Sequence, residues 1–389
     1  MFNKTLIKVF GQKETPFYYY DLALLDKTLR AAVLAAAPFS FHVHYAMKAN
    51  FNERVLHHIQ QAGVGADCVS GNEVLAALKA GFSSDKIVFA GVGKADKEII
   101  AALEQDIFSF NVESVQELEI INGLAAGLGK TARIALRINP NVDAHTHHYI
   151  TTGLDENKFG IKVWELNECL EVIIRSPSLR LSGIHFHIGS QITDLNVFKS
   201  LCVKVNELNN WFSERGHHLD VLNVGGGLGV NYHNPDGDQI PDFEGYFAIF
   251  NQFLDRKPGQ EVHFELGRAL VAQSASLISR VLYVKNGLKK NFLVLDAGMT
   301  ELMRPALYQA YHKIERADQD AIVPTDAQVS YDIVGPICES TDCFGKEVAL
   351  PITKRGDLIA IRTTGAYGEV MASHYNLRDE IRYVYSEEL

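Results

Sequence analysis

The sequence predicts an α/β fold: a (β/α)8 TIM barrel, followed by an all-β domain that also takes up the N-terminal strand. Three observations carry this. Eight short apolar or β-branched runs alternate with helical patterns between residues 41 and 267. After about residue 270 the helical periodicity gives way to strand-like runs punctuated by Gly, Pro, Asn and Asp. A lysine, a histidine, a run of glycines and a Glu/Arg pair mark the ends of four of the eight runs, where barrels place their chemistry.

The eight runs are FHVHYAMK (41–48), GADCVS (65–70), KIVFAG (86–91), IFSFNV (107–112), ARIALRIN (132–139), SGIHFHIG (182–189), VLNVGGG (221–227) and EVHFELG (261–267). Between them lie helical patterns such as NEVLAALKAG, ESVQELEIINGL and WELNECLEVIIRS, several ending in a Gly suited to a helix C-cap. A doubly wound open sheet is the competing arrangement. The β-prone FYYYD precedes the first barrel-like helix, 22–37, and is expected to join the later strands. The expected division is therefore a barrel over 22–267 and a β-rich domain made of 1–21 and 268–389. Within the latter, SASLISRVLYVKNG, KNFLVLDAG, QVSYDIVGPI and GDLIAIRTTGAYG read as strands.

Composition narrows the class. Of 389 residues, 47% are apolar and 22% charged, and 37 basic against 47 acidic side chains leave a net charge of −10. That balance disfavours a nucleic-acid surface. No apolar run approaches the roughly 18 residues of a membrane-spanning helix, and the start lacks a signal-peptide pattern. Five scattered cysteines suit a reducing compartment. A cytoplasmic enzyme with no membrane association is the expectation.

At the strand ends stand Lys48 within YAMKAN, His187 and Ser190 within HFHIGS, Gly225-Gly226-Gly227, and Glu265-Leu266-Gly267-Arg268. Each has a plain structural explanation. A strand-end lysine usually faces solvent, and at an ordinary pKa only about one in 2,500 is unprotonated at pH 7; burial or covalent capture removes that obstacle. His185 and His187 alternate as core-facing strand residues would. The three glycines could form a simple turn, yet after the seventh strand their N–H groups could also cradle an anion. GGGLGV lacks the third glycine of a dinucleotide fingerprint, and GLGK at 127–130 lacks the spacing of a phosphate loop. Ser70-Gly71-Asn72-Glu73 is a capping-box pattern, which accounts for Glu73 without catalysis. The cluster Asp143, His145, His147 and His148 lacks the ligand spacing of a zinc site, and no metal is expected. Asp236 to Asp242 reads as a surface loop. In the β-rich part, Arg304-Pro305 opens a short helix that places Arg304 and Tyr308 on one side. Cys338-Glu339 and the Gly-flanked Tyr367 sit in loops suited to site residues.

Taken in register from about residue 17 to 385, YAMKAN, HFHIGS, the triple glycine, ELGR, MRPALY, CES and GAYG resemble the pyridoxal-phosphate decarboxylases built on an alanine-racemase-like barrel (fold type III), and within them the members that act on diaminopimelate. The resemblance implies a barrel plus a C-terminal β domain, pyridoxal 5'-phosphate as cofactor, and meso-2,6-diaminopimelate decarboxylated to L-lysine and CO2. It makes Lys48 the covalent anchor and Cys338 an acid or base near the reacting carbon. His187 would stack on the cofactor ring. Ser190, Gly225, Gly226, Gly227 and Tyr367 would hold its phosphate, and Glu265, Gly267 and Arg268 would complete the cofactor site. Arg268, Arg304, Tyr308, Glu339 and Tyr367 would line the substrate. A homodimer, with the Cys338-Glu339 loop supplied by the partner, is implied as well. Leu266 stands where the family usually has proline; it restores a backbone N–H and keeps the Glu–Arg spacing.

A carboxylate at Glu265 favours decarboxylation over racemisation. It would keep the cofactor's ring nitrogen protonated and electron-withdrawing, where a racemase would place a cation. Two arginines and Glu339 suit a substrate carrying a second amino-carboxylate. The alternatives are a decarboxylase of ornithine, arginine or carboxynorspermidine, a non-enzymatic pyridoxal-phosphate carrier, and a metal hydrolase using His185 and His187.

Overall fold

The computed structural model describes residues 2–140, 158–317 and 328–389; Asp143, His145, His147 and His148 lie outside them. The chain divides into two compact units. One comprises residues 28–229 and 242–270, the other residues up to 27, 230–241 and from 271 onward.

The first strand, β1 (Phe17–Tyr20), belongs to the second unit. The eight that follow are β2 (His42–Ala46), β3 (Gly65–Cys68), β4 (Ile87–Phe89), β5 (Ser109–Val112), β6 (Ala132–Arg137), β7 (Leu179–His185), β8 (Val221–Asn223) and β9 (Glu261–Leu266). They pair in chain order, all parallel, and β9 closes on β2 with His42 opposite His263 and Tyr45 opposite Leu266. All eight sequence runs are barrel strands. Their side chains are almost wholly buried, because a parallel sheet closed into a barrel has no wet face. A repeated device fixes the turns after β3 and β5. Ser70 and Ser114 cap the next helices by accepting from the N–H groups of Glu73 and Glu117, at 3.2 and 3.1 Å. The two glutamates reach back to the N–H of Val69 and Glu113, at 2.7 and 2.8 Å. Glu73 thus caps as expected, but one residue further back than a capping box does.

Two expectations change. β7 ends at His185, so His187 lies in the loop beyond it rather than on the strand face it was expected to share. The ladder stops there because the chain turns to lace with the loop after β8. Ile192 N–H donates to Gly227 O at 2.8 Å and Gly229 N–H to Ile192 O at 2.9 Å. Asp236 to Asp242 form the expected loop, but residues 230–241 belong to the β-rich unit rather than to the barrel expected over 22–267, and there Asp236 accepts from the buried Arg362 at 2.8 Å.

The β-rich unit contains β10 (Ala275–Asn286), β11 (Asn291–Leu295), β12 (Ile314–Arg316), β13 (Gln328–Val334), β14 (Cys343–Pro351), β15 (Leu358–Ile361) and β16 (Arg382–Tyr385). Its strands run in the order β12-β15-β10-β11-β13-β14. β1 lies antiparallel to β10 and parallel to β16, so the N-terminal strand does return to this unit. A helix not foreseen in the sequence, Lys4–Gln12, leads into it and is capped by Asn3, which accepts from Leu6 N–H at 2.9 Å. Phe10 of that helix packs with Phe17, Tyr19, Ile278 and Val384.

Candidate active site

The carboxyl ends of the barrel strands gather a set of charged and polar side chains. Lys48 sits in a single turn, Met47–Ala49, directly after β2. Its Nζ is 3.8 Å from Oδ2 of Asp67 on β3; the lysine side chain is 38% exposed and the aspartate 1%. The Asp67 carboxyl is pushed well up, first by burial and then by the charge of Glu265, with Lys48 opposing. Its Oδ1 has no hydrogen-bond partner among the described residues.

Glu265, on β9, is the electrostatic centre. Oε1 accepts from Asn111 Nδ2 at 2.9 Å and Asn223 Nδ2 at 2.7 Å, and Oε2 lies 2.8 Å from His185 Nε2. Burial alone would raise this carboxyl. The charge and hydrogen bond of His185, then the charge of Lys48, outweigh it and hold Glu265 far below the usual carboxylate range. Three donors occupy a group able to accept about four, so one acceptor position remains. His187 is held uncharged: burial, then the charges of Lys48 and Arg137, push its pKa well down.

The loop after β8 is shaped by absent side chains. Gly225 has φ +69° and Gly227 φ +108°, a region costly for residues with a Cβ. A Cβ on Gly225 would collide with Phe186 O, and one on Gly226 with Glu265 O. The Gly225 N–H is already used, donating to Asn223 Oδ1 at 3.0 Å. Among the described residues nothing accepts from the N–H groups of Gly226 and Gly227. Arg268 donates to Ser190 Oγ from Nε at 3.3 Å and Nη2 at 3.1 Å, which orients the hydroxyl proton away from the guanidinium. Gly267 is the joint between β9 and the short helix Arg268–Val271, and the buried Leu266 remains in the β2–β9 ladder.

The structure therefore brings Lys48, His187, Ser190, Gly225–Gly227, Glu265, Gly267 and Arg268 to one rim of one barrel. It adds Asp67, Asn111, His185 and Asn223, which sequence reasoning missed or read as core. A signal existed: each is a polar residue inside an otherwise largely apolar run that reads as a barrel strand.

The remaining expected residues lie in the β-rich unit. Arg304, 4% exposed, opens the helix Arg304–Tyr308. Its Nη1 donates to Tyr232 Oη at 3.0 Å and to His312 Nε2 at 2.8 Å. The guanidinium carbon lies 5.8 Å from the Tyr308 ring centre, which agrees with the expected shared side. Its Nε has no acceptor, and no carboxylate pairs with Arg304 among the described residues. Tyr308 Oη is 3.5 Å from Met371 Sδ. Cys338 is exposed and its N–H donates to Asn376 Oδ1 at 3.0 Å, while Glu339 accepts from Tyr375 Oη at 2.7 Å. Tyr367 stands at φ +56° between Ala366 and Gly368. A tyrosine holds such a backbone only where its surroundings enforce it.

Against known proteins, residues 23–272 match the family model "Pyridoxal-dependent decarboxylase, pyridoxal binding domain". Diaminopimelate decarboxylase of Bacteroides thetaiotaomicron is 54% identical over 384 residues, 98% of this chain and 98% of that protein. The chain belongs to the diaminopimelate decarboxylase family of pyridoxal-dependent decarboxylases. Another relative, from Neisseria meningitidis, is 41% identical and spans 96% of this chain and 89% of its own length. Among solved structures, diaminopimelate decarboxylase from Helicobacter pylori complexed with L-lysine superposes with a TM-score of 0.91 at 39% identity, covering 99% of this chain and 94% of that one.

The rim fits the group this family uses. A lysine amine for an aldehyde, two backbone N–H groups in a cradle that a Cβ would fill, and an ionised carboxylate with an acceptor position left are the donor set a phosphorylated pyridine aldehyde requires.

Proposed function

We propose that this chain decarboxylates meso-2,6-diaminopimelate to L-lysine and CO2 with pyridoxal 5'-phosphate held by Lys48. When bound, that cofactor supplies the electron sink for the carbon left behind by CO2. Glu265 is the observation that carries the reading. Its three donors keep it anionic, and its remaining acceptor position suits a protonated ring nitrogen. His187, uncharged, offers a flat ring for stacking against a cationic heterocycle. The N–H groups of Gly226 and Gly227, with the Ser190 hydroxyl and Tyr367, supply phosphate donors; Gly225 contributes shape rather than its N–H. Asp67, with Oδ2 3.8 Å from the amine, orients Lys48.

The β-rich unit supplies substrate recognition in this reading. Arg304 receives a carboxylate, assisted by Arg268, Tyr308 and Tyr367. Glu339 takes the distal ammonium, and Cys338 holds a proton for the reacting carbon. The working state is a cytoplasmic homodimer in which the Cys338-Glu339 loop serves the partner's site. No helix among the described residues is long and apolar enough to cross a membrane.

The test is CO2 release and lysine formation by purified protein supplied with cofactor and meso-diaminopimelate, run beside ornithine. A site built to pair a second carboxylate rejects the analogue lacking it by about 10⁴ or more in kcat/KM. Comparable rates on the two substrates would overturn the assignment.

A further inference from the structure

The opposite, amino-terminal rim of the barrel holds a second cluster of ligating side chains, at the seam where the barrel closes. His42 opens β2 and Glu261 opens β9, with His263 two residues on and directly opposite His42 in the ladder. One donor atom from each of the three lies within 4.8 Å of the others. The His42 and His263 rings are stacked with centroids 4.7 Å apart.

The hydrogen bonds behind this cluster fix which atoms carry protons. The carbonyl of Lys86 can only accept, so His44 Nδ1, 3.1 Å away, carries a hydrogen. His44 is 3% exposed and has no carboxylate against it, so its ring is neutral and Nε2 bears a lone pair. His263 Nδ1, 2.8 Å from that lone pair, must therefore donate. Its Nε2 then faces the carboxylate Oε2 of Glu261 at 3.1 Å. A cation between the two atoms, proton or metal, satisfies both.

We propose that His42, Glu261 and His263 bind one divalent transition-metal cation. Bonds of about 2.0–2.2 Å meeting near a tetrahedral angle place neighbouring donors a little over 3 Å apart, close to the His263–Glu261 separation. A bridging proton would satisfy that pair but would give His42 no role, whereas a metal uses all three. His263 also has the second partner typical of a metal-bound histidine, its Nδ1–H being directed at His44. Two imidazoles and one carboxylate select zinc, cobalt or nickel over magnesium and calcium. His42 and Glu261 are exposed and line a cleft of about 390 Å³, so an ion can enter from solvent and keep water in its open positions. Bound there, it would tie the first barrel strand to the last, at the end of the barrel away from Lys48.

The experiment uses untagged holoenzyme cleared of metal by a chelator and titrated with Co²⁺ and Zn²⁺. Binding is followed by the visible absorption of bound cobalt and by thermal unfolding. Wild type is expected to take up an ion whose binding raises the unfolding temperature. His42→Ala and Glu261→Gln are each expected to weaken that uptake at least about a hundredfold while retaining decarboxylase activity. Both side chains are exposed, so folding persists in the variants. Cobalt uptake unchanged in both variants, or a wild type whose unfolding ignores both metals at millimolar concentration, would overturn the proposal.

Discussion

Arg304 and Arg362 are both buried in the β-rich unit, 4% and 8% exposed, yet they stand in opposite electrostatic situations. Arg362 is saturated. Its Nη2 donates to Asp236 at 2.8 Å and its Nη1 to Glu315 at 2.5 Å. Arg304, joined to it through His312, which donates to the Arg362 carbonyl at 2.9 Å, has among the described residues only a phenol and an imidazole as acceptors. A buried cation without a counter-charge costs stability, and a fold retains one where an anion arrives from outside. Arg362 therefore reads as a structural ion pair that ties residues 230–241 to the sheet, whereas Arg304 is the cation that the proposed function assigns to a substrate carboxylate. Glu265 in the barrel is a third case: a buried charge compensated by neutral and basic donors and poised for a cofactor.

The sharpest way to break this contrast is to remove the Arg304 charge. Arg304→Leu should lower kcat/KM for diaminopimelate by a factor matching about 2–5 kcal/mol, mostly through KM, while thermal stability does not fall. A destabilised variant with normal KM would make Arg304 structural. Glu265→Gln should retain cofactor but slow turnover by about 10- to 1,000-fold, the equivalent of a ring-nitrogen pKa lowered by roughly 1–3 units. An unchanged kcat would remove Glu265 from the chemistry. Arg362→Leu should show the converse of Arg304: stability lower by about 2–3 kcal/mol in urea unfolding, since two partly exposed carboxylates lose their partner, with KM of the folded protein unchanged.

The smallest effect concerns pH. Burial pushes Asp236 up, but Arg362 prevails and holds it to about 2. Its folded value is thus below the unfolded one near 3.9, so its stabilisation is present above that pH and is lost as pH falls towards about 2. Because Asp236 is partly open to solvent, the contribution is about 1 kcal/mol. Asp236→Asn should flatten that part of the acid unfolding curve, and an unaltered curve would show the pair to be inert.

The barrel was legible because each parallel strand is a short apolar run and each crossover a helical one. The β-rich tail was legible from its turn residues. What escaped were features set by partners distant in sequence. Asn111 and Asn223 matter only because both reach the carboxylate of Glu265, and Asp236 only because Arg362 lies across the unit. His187 was placed on a strand because alternation continues past His185, whereas the interlacing of residues 192 and 227 ends the ladder earlier. The helix Lys4–Gln12 escaped because it is short and depends on the aromatic cluster around Phe10.

The most direct test is borohydride reduction of the holoenzyme followed by peptide mapping. The expected result is a single reduced pyridoxyl group, on Lys48. Label on another lysine, with Lys48 recovered unmodified, would contradict the placement of the chemistry at this rim of the barrel.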